Sequence, residues 1–276
     1  MEQKNYKGFL YLLPAFLFLG FFLIYPLIDV FVYSFQENYN FASQTYTGVG
    51  LYNYAYVLHD PYFLQALKNT FLLVIITVPL STGLALLISL CLSSIQKLRE
   101  LFQTVFFLPY VTNSIAIGMV FAAMFNIIGM PHMERLIQTK GIVNNVIELF
   151  GGHYVNWINQ GSEYWANMFV MIVYIVWNAL PFKILVLLGG LQGINKQYYD
   201  AAKVDSTPRW RVFTKIAVPL LSPMIAYVVI TGFIGAFKAY SDAVALFGTD
   251  LNAAQMNTMV GYIYDMLYGD SGGYPS

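Results

Sequence analysis

An all-α fold, a polytopic helical bundle in a membrane, is what this sequence predicts, and three observations predict it. The 276-residue chain is 58% hydrophobic and only 10% charged, against about 25% charged residues in a soluble domain. Five stretches are long and apolar enough to cross a bilayer, which takes about 20 mostly apolar residues. Between the last two lies a short charged segment, "YYDAAKVDSTPRWRVFTKIAVP" (198–219), made of helix-forming residues.

The first expected span, Phe9–Phe35, follows Lys4 and Lys7 as a signal peptide would. It is too long for one, and no small-residue cleavage site follows, so it reads as a retained span. The others are Leu67–Leu92, Phe102–Phe125, Tyr164–Leu191 and Val218–Tyr240. Pro14, Pro26, Pro79, Pro109 and Pro181 fall in or near them; neighbouring helices can re-satisfy the backbone groups that proline frees. The tail segment "TMVGYIYDMLYG" is too short and polar to cross and is expected to form a short helix at the outer surface. One transmembrane domain over 1–276 is expected.

Basic residues set the orientation, because Lys and Arg stay on the cytoplasmic side. With the N-terminus inside, nine of the 14 basic residues fall in inner segments: Lys4, Lys7, Lys97, Arg99, Lys196, Lys203, Arg209, Arg211 and Lys215. Three, Lys68, Arg135 and Lys140, fall outside, and Lys183 and Lys238 lie within spans. The charged segment is thereby cytoplasmic.

Several function classes lose support. Formal net charge is zero and no basic patch is interleaved for nucleic acid. His59, His132 and His153 are scattered, without metal-ligand spacing. No Gly-Lys dipeptide occurs, so the Walker phosphate loop is missing. The lone Cys91 cannot form an internal disulfide. An ion-driven secondary transporter would want paired intramembrane acids or inverted repeats; Asp29 is the single acid well inside a span. No metal and no cofactor is expected on this chain.

The charged segment reads as two short helices over 195–217. Asn195 can cap the first, whose face carries Tyr198, Ala201, Ala202 and Asp205 at helical spacing. Ser206 and Thr207 break it. Thr207 as cap and Pro208 at the first helical position start the second, with Trp210, Phe213, Thr214 and Ala217 on its apolar face. The paired alanines leave a notch that another surface can approach closely. A plain charged loop held to anionic lipid is the competing reading.

"DAAKVDSTPRWRVFTKIAVPLLSP" resembles the loop that marks permease subunits of binding-protein-dependent ABC importers, with Asp200 for the usual Glu and Ser206 for the usual Gly. "VGLYNYAYVLHDPYFLQALKNTF", "GIVNNVIELFGG" with "VNWINQ", and "LPFKILVLLGGLQGINKQYYDAA" resemble the oligosaccharide branch, in the subunit type of the larger maltose permease subunit. The resemblance implies that Asp200, Ala201, Ala202, Asp205, Ser206, Arg209 and Arg211 form a coupling helix. That helix would dock in a cytoplasmic ABC ATPase, present in two copies and carrying ATP and Mg. It further implies a second homologous permease subunit, an extracellular solute-binding protein and a sugar substrate. A sixth span is implied beyond Ser276.

Polar groups inside hydrocarbon usually face a cavity or the bundle interior. Candidates for the substrate path are Tyr110, Thr112 and Asn113 on the third span and Tyr174, Trp177, Asn178 and Lys183 on the fourth. Phe233, Lys238, Tyr240 and Asp242 are candidates around the end of the fifth. A sugar path wants aromatic faces beside amides and hydroxyls. Lys238 is expected to snorkel outward, and Lys183 to find a partner or a cavity. The near neutrality of the path favours an uncharged sugar; a glycerol phosphodiester or sugar phosphate is the alternative.

Overall fold

A computed structural model describes residues 6–40, 43–95, 99–126, 141–159 and 161–268. It falls into two compact units, 1–64 and 65–276.

The first unit opens with α1 (Tyr6–Leu19), a π turn (Gly20–Ile24) and α2 (Tyr25–Ser34). Together they make one apolar helix, and Gly8–Ser34 is long enough to cross a membrane. Phenylalanines and leucines are exposed all round it, from Phe9 to Phe31, as suits contact with lipid. A small hairpin follows: β1 (Gln36–Glu37) pairs antiparallel with β2 (Gly48–Val49). It leads into α3 (Tyr52–His59). Asn53 clamps the hairpin to the helix end, donating from Nδ2 to Ser34 O (3.1 Å) and Gln36 O (2.9 Å).

The second unit is built on two long helices, α4 (Pro61–Ser94) from Gln65 onward and α8 (Tyr164–Gly193). Both are long and apolar enough to span. The buried face of α4 repeats a polar or small residue at nearly every turn: Ala66, Asn69, Thr70, Thr77, Ser81, Thr82, Ala85 and Ser89. Small and hydroxyl side chains let membrane helices approach closely and bond across the gap.

The third expected span is broken. It consists of α5 (Arg99–Val111) and α6 (Ser114–Phe125), bent by 106°. Pro109 removes a backbone donor just before the break. Asn113 restarts the helix: its Oδ1 accepts from Ile115 N (2.9 Å) and Ala116 N (3.5 Å), satisfying orphan donors of the first turn. After α7 (Gly141–Leu149), buried Asn144 ties down the next loop, bonding both backbone groups of Val155 at 3.0 Å and accepting from Trp157 Nε1 at 3.1 Å.

The charged segment forms α9 (Lys196–Val204), then one continuous helix of α10 (Arg209–Val212), a π turn (Phe213–Ala217) and α11 (Val218–Leu220). The fifth expected span begins later than predicted. Residues 218–220 finish the preceding helix, and the chain turns by 69° into α12 (Ser222–Phe237). The span ends at Phe237, because Lys238 and Ala239 leave helical geometry before α13 (Tyr240–Phe247). Gly118 lets α6 pack on α13, since a Cβ there would overlap Ala245.

The predicted outer helix is α14 (Met259–Tyr268). A polar knot holds the segment before it onto α4. Asn69 Nδ2 donates to Gln255 O (2.9 Å) and Asn257 O (2.8 Å), and Tyr164 OH donates to Asn69 Oδ1 (2.8 Å). Thr70 Oγ1 accepts from Met259 N at 3.0 Å. Residues 269–276, the expected lead-in to a sixth span, lie outside the described residues.

Candidate functional site

Two features answer to the candidate residues. The first is a cavity of about 280 Å³ walled by α4, α5, α8, α12 and α13. Its position follows from the core. One apolar cluster holds Leu73 of α4 and Ile175 of α8; another holds Ala85 and Ile184 of the same helices. The cavity lies in the interval between them, at Thr77, Val78 and Ser81 on one side and Asn178, Phe182 and Lys183 on the other. Gly232 and Gly235 of α12 complete that wall.

Of the predicted path residues, Tyr110, Asn178, Lys183 and Asp242 line this cavity. Tyr110 comes from the last turn of α5 before the break, its ring stacked on Phe182 with centroids 5.8 Å apart. Asn178 Nδ2 donates to Ser114 Oγ and to Asp242 Oδ1, both at 3.2 Å. It thus ties the start of α6 to α13. Lys183 is 3% exposed, and its Nζ donates to Ser81 Oγ (2.7 Å) and Thr82 Oγ1 (2.9 Å), with Val78 O at 3.5 Å. It therefore has both the partner and the cavity that its depth required.

Seven predicted residues are placed elsewhere. Asn113 spends its carbonyl oxygen on capping α6. Tyr174 is fully buried and donates to Ser114 O at 2.8 Å, a structural bond beneath the cavity wall. Trp177 faces Phe121 instead, with ring centroids 6.0 Å apart. It is next to Asn178 in sequence, but one residue around a helix is a turn of about 100°. Phe233 and Lys238 are exposed, and Tyr240 stacks on Tyr264 at 4.5 Å. Thr112 bonds its own helix at Leu108 O (3.0 Å).

Sequence reasoning missed the whole contribution of α4, namely Thr77, Ser81 and Thr82. Single hydroxyls in an apolar run read as packing. The signal was their spacing, since Thr77 and Ser81 share one helical stripe with Thr70.

The second feature is the charged hairpin. Asn195 caps α9 as predicted, accepting from Gln197 N at 3.0 Å. The helix stops in a Schellman motif: Thr207 N reaches Ala202 O (2.9 Å) and Ser206 N reaches Lys203 O (3.0 Å). Ser206 takes the left-handed position, φ +49°, where glycine is at home. The second helix starts one residue later than expected. Pro208 is its extended cap (ψ 144°) and Arg209 its first residue. Thr207 makes no cap, because the Schellman turn already holds it. Ala202 is buried, whereas Ala201, Asp200, Asp205, Arg209 and Arg211 are exposed. The notch therefore splits: one alanine seats the hairpin and the other faces out. Asp200 pairs with Lys203 at 3.1 Å, an exposed pair that adds little stability. Burial pushes the Tyr199 phenol above its ordinary value, so it stays neutral.

Residues 81–274 match the family described as binding-protein-dependent transport system inner membrane component. The chain belongs to that family. This inner-membrane component is 29% identical over 267 residues to the lactose transport system permease protein LacF of Rhizobium radiobacter, covering 95% of this chain and 83% of that protein. It is 30% identical over 276 residues to the arabinooligosaccharides transport system permease protein AraP of Bacillus subtilis (strain 168), covering 98% of this chain and 82% of that one. Its fold matches a chain in a crystal structure of a bacterial alginate ABC transporter in complex with an alginate pentasaccharide-bound periplasmic protein. The TM-score there is 0.76, at 21% identity, over 97% of this chain and 85% of the other. The inner-membrane component is thus a multi-pass membrane protein and a transport subunit.

Proposed function

We propose that this chain is the permease subunit of an ATP-driven importer of saccharides. It would pair with a second, homologous permease and receive its substrate from an extracellular binding protein. Two copies of a cytoplasmic ABC ATPase, which carry the ATP and Mg, would drive it. The observation that carries the substrate class is the cavity. Hydroxyl, amide and carboxylate groups of Ser81, Asn178 and Asp242 converge there beside the ring of Tyr110, within otherwise apolar helices. A saccharide presents hydroxyls for the first set and C–H faces for the ring. The sugar-transport names of the relatives support the same class.

In this reading the N-terminus is cytoplasmic, and so is the α9–α10 hairpin. Its exposed face, with Asp200, Ala201, Asp205, Arg209 and Arg211, is the contact for the ATPase. Movement of that contact is passed to α12 through Leu221, where the helix turns by 69°. Leu221 is buried with Leu191 and Ala217, so the bend is held by packing.

The partner set is tested by purifying the tagged chain from its native membrane. A second permease and an ATPase should come with it, and adding loaded binding protein should stimulate ATP hydrolysis. Hydrolysis indifferent to the binding protein would contradict the assignment.

A further inference from the structure

The cavity holds two ionisable groups of opposite sign, and they do not neutralise each other. Asp242 is engaged by Asn178 at 3.2 Å. Lys183 is 3% exposed, and its ammonium meets two hydroxyls and a distant carbonyl. Among the described residues no carboxylate pairs with it. Neutral partners do not repay the loss of water around a buried cation. The position is nonetheless built for that cation. Ser81 and Thr82 hold it from α4, and α12 makes room with Gly232, where a Cβ would sit 2.9 Å from Nζ.

We infer that the cavity selects a saccharide carrying an oxyanion, a carboxylate or a phosphate, with Lys183 as the residue that selects it. The inference rests on the importer reading above. The anion supplies the missing counter-charge, and a charge-assisted bond to ammonium is the strongest contact on offer in the cavity. Asp242 sets the rest of the specificity. A bare inorganic anion would meet its negative charge. A sugar instead brings hydroxyls that donate to that carboxylate while its anionic end reaches Lys183. This departs from the uncharged sugar that the sequence favoured. Of the two lysines counted there, Lys238 turns out to be exposed and Lys183 lines the cavity.

The test is ATP-dependent uptake by the complete importer, with its binding protein, in proteoliposomes. Three probes are compared: a trisaccharide of uronic acids, a hexose phosphate and a neutral trisaccharide. One acidic probe should be imported, and which one tells carboxylate from phosphate. Lys183→Met, which keeps the side chain's length, should cut that uptake about tenfold or more, the order expected for losing a hydrogen bond to a charged group. Gly232→Ala, which leaves the lysine in place but displaces its ammonium, should also lower it. It decides the matter should Lys183→Met fail to assemble. Import of the neutral probe alone, uptake of none of the three, or acidic uptake unchanged in both variants would overturn the inference. Import of the neutral probe with ATP would still leave the importer reading standing, so the two can fail separately.

Discussion

Ser206 shows how much one backbone angle settles. Its φ of +49° closes the turn between the two charged helices, and a left-handed conformation costs a side-chain-bearing residue about 1–2 kcal/mol. Ser206→Gly is expected to stabilise the hairpin by about 1 kcal/mol, visible as a higher midpoint for thermal inactivation in detergent. A lower midpoint would contradict the Schellman turn. In the cavity, Asn178 donates to both Ser114 and Asp242. Asn178→Ala leaves the half-buried Asp242 carboxylate short of a donor, so uptake should fall about tenfold. Trp177→Ala, which touches the Phe121 side, should change uptake by about twofold or less. Equal losses in both variants would place the path elsewhere.

Among the elements, α9 carries the clearest division of labour. Ala202 is buried, and Ala201 next to it faces out. Ala201→Asp is expected to abolish ATP hydrolysis stimulated by loaded binding protein while the permease still assembles. The cost is an unpaired charge at a close-packed contact, enough for well over tenfold. Ala202→Asp should instead unseat the hairpin and lower the yield of assembled permease. Coupling at wild-type level in Ala201→Asp would rule out this docking face. The broken third span has its own dependence: Asn113 caps α6, and removing a cap costs about 1 kcal/mol. These two elements also mark how far the sequence could be read. Asn195 as a cap was legible because capping is a local rule. The bends at Thr112 and Leu221 were not. Proline lies near both, but a proline fixes where a helix can bend, while neighbours decide how far it does. Pro79 and Pro181 lie inside α4 and α8, which remain single helices.

At the scale of the molecule, hydropathy located the five apolar segments, two of which are bent helix pairs. What it could not show was which polar residues converge. Tyr174, Trp177 and Asn178 are near neighbours in sequence, yet of the three only Asn178 reaches the cavity, and the α4 hydroxyls that complete it read as packing residues when each is taken singly. Orientation is checked directly by cysteine labelling in a Cys91→Ser background, since Cys91 is itself exposed. Gln197→Cys should react with an impermeant maleimide in inside-out vesicles only, and His153→Cys in right-side-out vesicles only; the reverse pattern would invert the topology. The central claim, that ATP on partner subunits drives a saccharide through this chain, is tested most directly by uptake into proteoliposomes holding the full complex. Uptake of labelled saccharide is expected only with binding protein outside and ATP inside, and it should survive collapse of every ion gradient. Uptake that persists without ATP and follows an ion gradient would contradict the account.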